Sequence, residues 1–180
     1  RTVHAVGRAR IDRRPEVAVV GVLGASLRSR ARVFDEARRR GIPMLHRGEL
    51  LAELMRGRRG VAVGGSHGKT TTTSMLASAA LRAGIDPTVY VGTTAPWLDG
   101  LNARPGAGNV MIAECDESDG SFLKLDPAIA IITNIDREHL DHYGGFDGVL
   151  RAFAEFTRRA ARKGCAIVCW DDPEARRVAA

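Results

Sequence analysis

The sequence predicts an α/β protein in which a mainly parallel sheet carries helices on both faces. Short apolar runs, bounded by polar or turn residues, alternate along the 180-residue chain with longer segments of helical periodicity. This alternation favours a parallel sheet, because parallel strands need crossover connections that place helices over the sheet. A glycine-rich turn at residues 64–68 separates one apolar run from a helical segment, as in a phosphate-binding turn.

The first part of the chain predicts a β-α-β unit followed by a second helix. In chain order these elements are Ala18–Leu23, Arg32–Arg40, Ile42–Leu45 and Gly48–Arg56. The second helix has an apolar face formed by Leu50, Leu51, Leu54 and Met55. Gly57 and Gly60 then break the chain, so we place a domain boundary between residues 1–58 and residues 59–180.

The second part continues the alternation. Five short apolar runs predict strands at Val61–Val63, Thr88–Val91, Val110–Ala113, Ala128–Ile132 and Ala166–Cys169. Two longer segments predict helices at Thr70–Arg82 and Phe146–Arg162. Residues 93–108 contain three Gly and two Pro, which favours a loop without regular structure.

Composition excludes several classes of protein. With 44% hydrophobic and 27% charged residues the chain is an ordinary globular sequence, and its longest apolar stretch, Val17–Ala25, is too short to span a membrane. Three cysteines without a C-x-x-C pair favour a reducing compartment, the cytoplasm. The net charge of +6 comes from arginines on helix faces without interleaved aromatic residues, so we expect no nucleic-acid partner.

The strongest motif is the turn that precedes the first helix of the second part. Its glycines let backbone N–H groups approach phosphate oxygens, Lys69 can reach the β- and γ-phosphates, and the Thr70 hydroxyl can ligate Mg²⁺. The full G-x-x-x-x-G-K-[ST] pattern fails, because Val63 stands at its first glycine. His67 either contacts phosphate or fills the turn. The predicted nucleotide-binding residues are Gly65, Ser66, His67, Gly68, Lys69, Thr70 and Thr71.

Two further polar groups follow apolar strands. Four carboxylates crowd into residues 114–119, and their repulsion favours a bound cation. Ligands of open α/β sheets bind beyond the carboxyl ends of the strands, so we predict that Glu114 holds Mg²⁺, with Asp119 a solvated acid. After the next strand, His139 is a candidate ligand or orienter at a Mg²⁺ site. His142 completes no zinc site, because a third ligand of suitable spacing is missing.

Taken together in their order, these segments resemble the Mur ligase family, the ATP-dependent amide-forming ligases of peptidoglycan precursor synthesis. The resemblance rests on blocks that span residues 42–173: Ile42–Pro43 with Arg47–Arg56, then Gly65–Thr73, Glu114–Phe122, Thr133–His139, Tyr143–Gly145 and Asp171–Pro173. It implies that residues 1–58 are the C-terminal part of a Rossmann-like UDP-binding domain. It also implies that residues 59–180 are an incomplete central ATP-binding domain of the P-loop type.

The resemblance implies a reaction and a site. It favours the members that join L-alanine to UDP-N-acetylmuramate through an acyl phosphate, with ATP and Mg²⁺ as cofactors. Lys69, Glu114 and His139 would be catalytic, with Thr70 and Glu114 on one Mg²⁺ and His139 on a second. Glu117 and Ser118 fall where members of the family contact the muramoyl substrate.

Alternatives and departures remain open. The chain starts at Arg1 rather than Met, so we expect a piece of a longer protein that is inactive alone. The recycling ligase that adds a tripeptide to UDP-N-acetylmuramate has similar loops, and a truncated non-catalytic P-loop paralogue is the non-enzymatic alternative. Thr93 and Thr94 replace a glycine pair common in the family, near the expected approach of the UDP-sugar. The oligomeric state is not predicted.

Overall fold

A six-stranded sheet is the centre of the computed structural model, which describes residues 35–42 and 45–179. Its strands are β1 (Arg59–Gly64), β2 (Thr88–Tyr90), β3 (Ala103–Arg104), β4 (Val110–Glu114), β5 (Ile129–Ile132) and β6 (Cys165–Val168). The α-helices after residue 45 are α1 (Arg47–Met55), α2 (Lys69–Arg82), α3 (Leu140–Tyr143), α4 (Phe146–Lys163) and α5 (Pro173–Ala179). Short 3₁₀ helices cover Pro96–Leu98 and Ser121–Lys124.

The strand order is β3-β2-β4-β1-β5-β6, and every neighbouring pair is parallel except β2 with β3. Helices pack on both faces of the sheet, so the predicted α/β class is confirmed. The register aligns Val63 on β1 with Glu114 on β4 and Ile131 on β5. The segments that leave the carboxyl ends of these three strands therefore meet at one edge of the sheet.

The predicted elements after residue 57 are all present, with bounds shifted by one or two residues. The helix predicted at Gly48–Arg56 begins one residue earlier. Of the helix predicted at Arg32–Arg40, residues 35–39 are helical and residues 32–34 lie outside the described part. The strand predicted at Ala18–Leu23 also lies outside it. In the strand predicted at Ile42–Leu45, residues 43 and 44 lie outside the described part of the chain. Ile42 and Leu45 are described, and neither is in a strand.

The prediction of an unstructured loop at residues 93–108 was wrong. Pro96 starts a 3₁₀ helix, where its fixed φ and missing N–H suit the first turn. Ala103 and Arg104 then pair antiparallel with β2 and extend the sheet edge. The sequence pattern misses this strand, because two residues are too few to show alternation.

The core lies on both faces of the sheet. The larger cluster lies under α1 and α4, where the Phe122 ring packs against Phe153 and Phe156 at centroid distances of 5.1 and 5.0 Å. The smaller cluster lies under α2, whose buried residues Ala77 and Ala80 let the helix approach the strands closely. None of the helices in the described ranges is long and apolar enough to cross a bilayer.

Helix α1 packs against the 3₁₀ helix Ser121–Lys124 and reaches the start of β1 through Met55. Leu51 and Met55 are buried in the same cluster as Phe122. A Cβ at Gly60 would lie 2.4 Å from the Met55 sulfur, so a larger residue there would require the Met55 side chain to move. The domain boundary at residue 58 stays a prediction, and it separates two segments that share one apolar core.

Candidate active site

The turn between β1 and α2 needs two of its glycines. Gly65 has φ 128°, and a Cβ there would lie 2.1 Å from Thr133 Oγ1 and 2.9 Å from the carbonyl oxygen of Asn134. Gly68 has φ 78° and is the N-cap of α2, where it supplies no side-chain cap. Because no side chain caps the first N–H groups of this 14-residue helix, these groups are available to bind an anion.

Residues after β5 hold the turn in place. Asn134 accepts from the backbone N–H of Ser66 at 3.0 Å and from that of His67 at 2.8 Å. Thr133 and Asn134 both donate to the His67 carbonyl, at 2.7 and 3.0 Å. We did not predict this support, although both residues are polar and directly follow an apolar strand.

Lys69 lies inside the turn that precedes it. Its Nζ donates to the carbonyls of Gly65 at 2.6 Å and Ser66 at 3.0 Å, and to Glu117 Oε1 at 3.0 Å. Glu117 is 4% exposed, and burial raises the pKa of its carboxyl while the Lys69 ammonium opposes that rise. The ammonium is therefore held at the mouth of the turn by one buried carboxylate and two carbonyls.

Thr70 and Glu114 join the start of α2 to the end of β4. Thr70 Oγ1 donates to Glu114 Oε2 at 2.8 Å, and the same oxygen accepts from the Gly92 N–H at 2.8 Å. A Cβ at Gly92 would lie 2.6 Å from Glu114 Oε1, so the chain after β2 passes close to this carboxylate. The structure thus brings together two oxygen donors that the sequence predicts as Mg²⁺ ligands.

His139 lies in a second cluster of possible metal ligands, separate from the pair of Thr70 and Glu114. Its Nε2 lies 4.0 Å from Glu117 Oε1, and with Glu138 these residues offer ligand atoms within 4.8 Å of one another. His139 has φ 56° and directly precedes α3, an unusual backbone conformation for a residue other than glycine. Its predicted role at a second Mg²⁺ stays a prediction.

The other predicted residues lie around the same edge. The His67 ring is 60% exposed and lies 3.5 Å from Asp136, while Thr71 is exposed on the first turn of α2. Ser118 donates its backbone N–H to Asp116 Oδ1 at 2.9 Å, which closes a turn. Asp119, predicted as a solvated acid, is 39% exposed and lies 3.4 Å from His46.

Arg47 is a site residue that we missed. It forms an ion pair with Asp116 at 2.5 Å, across 69 residues of sequence, and so ties α1 to the acidic loop. Burial would raise the pKa of Asp116, but hydrogen bonds from Arg47 and Ser118 outweigh it and lower the pKa to about 2. No local pattern pairs these residues, because their contact depends on how α1 packs against the rest of the fold.

Two cavities meet at this edge. One, of about 330 Å³, lies over the turn and is lined by Ser66, His67, Gly68, Lys69, Thr70, Thr71 and Glu114. The other, of about 230 Å³, lies between α1 and the ends of β2 and β4. Both have Lys69, Thr70 and Glu114 in their walls. A cation bound at these residues would face two ligands at once, which suits transfer of a group from one to the other.

Comparison with known proteins gives a consistent result. Residues 63–180 match the Mur ligase middle domain. A UDP-N-acetylmuramate--L-alanine ligase from Solibacter usitatus is 56% identical over 150 residues, which are 79% of this chain and 32% of that protein. The enzyme of the same name from Aquifex aeolicus is 49% identical over 166 residues, covering 91% of this chain and 36% of that protein.

A solved structure shares the fold. The UDP-N-acetylmuramate-alanine ligase from Thermotoga maritima superposes with a TM-score of 0.68 at 27% identity, over 85% of this chain and 35% of that one. The chain thus spans about a third of the length of the relatives it matches.

Proposed function

Because the chain belongs to the Mur ligase family, we propose that it supplies the ATP-binding part of a ligase that joins L-alanine to UDP-N-acetylmuramate. The support is the name carried by relatives that are 49% and 56% identical to it. This name favours L-alanine over the tripeptide of the recycling ligase. The activity and both substrates are proposed for the whole protein, because the matched region makes up only about a third of each relative.

The pair formed by Thr70 and Glu114 is the observation that carries the proposal. A hydroxyl at the start of α2 and a carboxylate at the end of β4, 2.8 Å apart, line the wall between the two cavities. Both offer oxygen ligands, which Mg²⁺ prefers in proteins. An acidic loop placed only for solubility would not aim its carboxylate at a helix hydroxyl beside a phosphate-binding turn.

The turn binds the nucleotide phosphates in this proposal. The backbone N–H groups of Gly65 and Gly68 face the phosphate oxygens in this proposal, and α2 adds the partial positive charge of its N-terminus. Ser66, whose N–H donates to the Asn134 carbonyl, contributes to the cavity wall. Lys69 neutralises the charge that builds on the β- and γ-phosphates during transfer. His67 and Thr71 complete the cavity wall.

Magnesium fits the oxygen donors of this site. Thr70 and Glu114 would hold one Mg²⁺, and His139, with Glu117 and Glu138 beside it, would contribute to a second. When bound, the cation supplies charge neutralisation for the phosphoryl group. Glu114 is positioned for this by the N–H of Gly92, which holds one of its oxygens in place.

The reaction runs in two steps. A carboxylate oxygen of UDP-N-acetylmuramate attacks the γ-phosphorus of ATP, the bond to the bridging oxygen breaks, and ADP leaves. The amine of L-alanine then attacks the acyl carbon of the acyl phosphate, phosphate leaves, the nitrogen loses a proton, and an amide remains. The protein supplies positioning and charge rather than a nucleophile, which is what Lys69 and Thr70 can provide. In this proposal Glu117 and Ser118 contact UDP-N-acetylmuramate, the acceptor of the phosphoryl group.

The remaining assignments follow from the same family. Residues 59–180 would be the central ATP-binding domain, and residues 1–58 the end of a Rossmann-like domain that binds UDP. A ligase that uses ATP and UDP-linked precursors would work in the cytoplasm, where both are made. The exposed Cys165 and Cys169 are free thiols in the structure, which is compatible with that compartment.

Calorimetry tests the proposal on this chain. We expect ATP to bind in the presence of Mg²⁺ and Lys69→Ala to weaken this binding by about tenfold or more, because a charge-assisted contact is lost. Lys124→Ala is the matched control, since this lysine pairs with Glu49 away from both cavities. A chain that is folded by circular dichroism but does not bind ATP would refute the nucleotide site.

A further inference from the structure

The Lys69 ammonium already uses all of its hydrogen-bond donors. A lysine ammonium carries three N–H donors. They reach the carbonyl of Gly65 at 2.6 Å, the carbonyl of Ser66 at 3.0 Å and Glu117 Oε1 at 3.0 Å. The Lys69 side chain is only 16% exposed, so water has little access to it. A phosphate oxygen can therefore accept from Lys69 only by displacing one of these three acceptors.

Glu117 is the acceptor that a phosphate would displace. The two carbonyls belong to the turn itself, whose backbone is held by side chains of Thr133 and Asn134. These carbonyls are neutral, whereas the Glu117 carboxylate carries a negative charge that repels an approaching phosphate. A phosphate at the mouth of the turn thus competes with this carboxylate for the same ammonium.

Glu117 is fixed and cannot follow Lys69 when their contact breaks. Its backbone carbonyl accepts from the Tyr143 hydroxyl, and from the Gly120 N–H at 3.1 Å. The residue is only 4% exposed, and its second carboxylate oxygen, Oε2, is buried without a hydrogen-bond partner among the residues that the structure describes. Loss of Lys69 would therefore leave a buried carboxylate without an opposite charge, which is strongly unfavourable.

A cation beside the carboxylate would remove this obstacle. Glu117 offers an oxygen that lies within 4.8 Å of ligand atoms of Glu138 and His139. With a divalent cation at this cluster, the carboxylate released by Lys69 would again face an opposite charge. A nucleotide that arrives with its cation can therefore take Lys69 from Glu117, whereas a metal-free nucleotide would leave Glu117 buried and unpaired.

We propose that Glu117 is a specificity-determining residue, which rejects metal-free nucleotides by holding Lys69 until a cation replaces this lysine as its partner. The inference rests on the proposed function, because it takes the turn as the phosphate site. Glu117 differs in its effect from Glu114, which strengthens the binding of Mg-ATP. Glu117 weakens the binding of ATP without a metal, so the two carboxylates increase the preference for Mg-ATP in opposite ways.

Removal of the charge at Glu117 tests this inference on the chain as it is. Calorimetry measures the affinity for ATP in EDTA and in Mg²⁺, for the original chain and for Glu117→Gln. We expect Glu117→Gln to bind metal-free ATP at least about tenfold more tightly, because Lys69 gains a free charged donor. The gain in affinity on addition of Mg²⁺ should shrink accordingly. Damage to the fold would weaken the binding of metal-free ATP instead.

Asp136→Asn is the matched control. Asp136 is also a carboxylate beside the turn, but it is 63% exposed and lies 3.5 Å from His67. Solvent screens its charge, so this variant should change the affinity for metal-free ATP by less than about twofold. Glu117→Ala, which opens space for water beside Lys69, provides the same test if circular dichroism shows that Glu117→Gln does not fold.

The outcomes separate this inference from the proposed function. If the folded Glu117 variant binds metal-free ATP no more tightly than the original chain does, the inference is overturned. An equal gain in Asp136→Asn would also overturn it, because net charge alone would then explain the effect. Binding of Mg-ATP to the original chain reports the nucleotide site independently, and its absence would refute the proposed function instead.

Discussion

Thr70 Oγ1 lies 2.8 Å from Glu114 Oε2, and this contact joins two segments that are 44 residues apart in sequence. The parallel pairing of β1 with β4 produces it, because β1 leads into the turn before Thr70 and β4 ends at Glu114. A hydroxyl and a carboxylate thus meet where the glycine-rich turn and the acidic loop leave the same sheet edge. The site follows from the strand order as much as from the motifs.

Gly65 should not tolerate a side chain. Gly65→Ala would force an L-residue to φ 128° and drive its Cβ into Thr133 and Asn134, so we expect a loss of about 2–4 kcal/mol in unfolding free energy. Gly57→Ala is the control, because that glycine also has a positive φ, 77°, but has open space around it, and the substitution should cost about 1 kcal/mol. Urea denaturation measures both. Equal losses would contradict the packing account.

Phe122 should be a major contributor to stability. It is fully buried between Phe153 and Phe156, so Phe122→Ala should lower the unfolding free energy by about 3–5 kcal/mol through lost burial and a cavity. Trp170→Ala, at a residue that is 68% exposed, should change it by less than about 1 kcal/mol. Urea denaturation measures both unfolding free energies. A loss of less than about 1 kcal/mol for Phe122→Ala would contradict the claim that this ring is a central part of the core.

The ion pair of Arg47 and Asp116 should make stability depend on acid pH. The folded pKa of Asp116, about 2, lies below its unfolded value of about 3.9, so the pair stabilises the protein above about pH 4. That contribution should vanish as the pH falls towards 2. Because Asp116 is 34% exposed, we expect only about 1 kcal/mol after solvent screening.

Comparison with Asp116→Asn tests this dependence. The stability difference between the original chain and the variant should be constant near neutral pH and shrink below about pH 4. Lys163 and Asp126 form an exposed pair, and Asp126→Asn should show little difference at any pH. A difference that grows on acidification would have the wrong sign for a carboxylate stabilised in its charged form.

The three thiols should differ in reactivity. Cys115 is 1% exposed, and burial raises the pKa of its thiol, so it should stay protonated and unreactive at pH 8. Cys165 and Cys169 are exposed and should react with iodoacetamide. Mass spectrometry of the folded chain should find two labels, and a third only after unfolding. Early labelling of Cys115 would mean that the site edge opens readily.

The sequence predicted the fold class and most strands because the buried strands are continuous apolar runs. It also singled out Lys69, Thr70 and Glu114, because each belongs to a local pattern with a chemical reason. The structure brings the three side chains together, and their roles stay predictions. It could not predict the contact of Arg47 with Asp116, or the cavity beside Tyr90, because both depend on the packing of α1 against the rest of the fold. The sequence also did not predict β3, because a strand of two residues is too short to show an alternating pattern.

The dependence of ATP affinity on Mg²⁺ decides whether Glu114 holds a cation beside the nucleotide phosphates. We would measure it by calorimetry, with and without Mg²⁺, for the original chain and for Glu114→Gln, which keeps the shape of the side chain and removes its charge. Asp126→Asn is the control for loss of one exposed carboxylate. We expect Mg²⁺ to strengthen ATP binding in the original chain and the control but not in Glu114→Gln. Equal strengthening in all three would contradict the claim that Glu114 holds the cation.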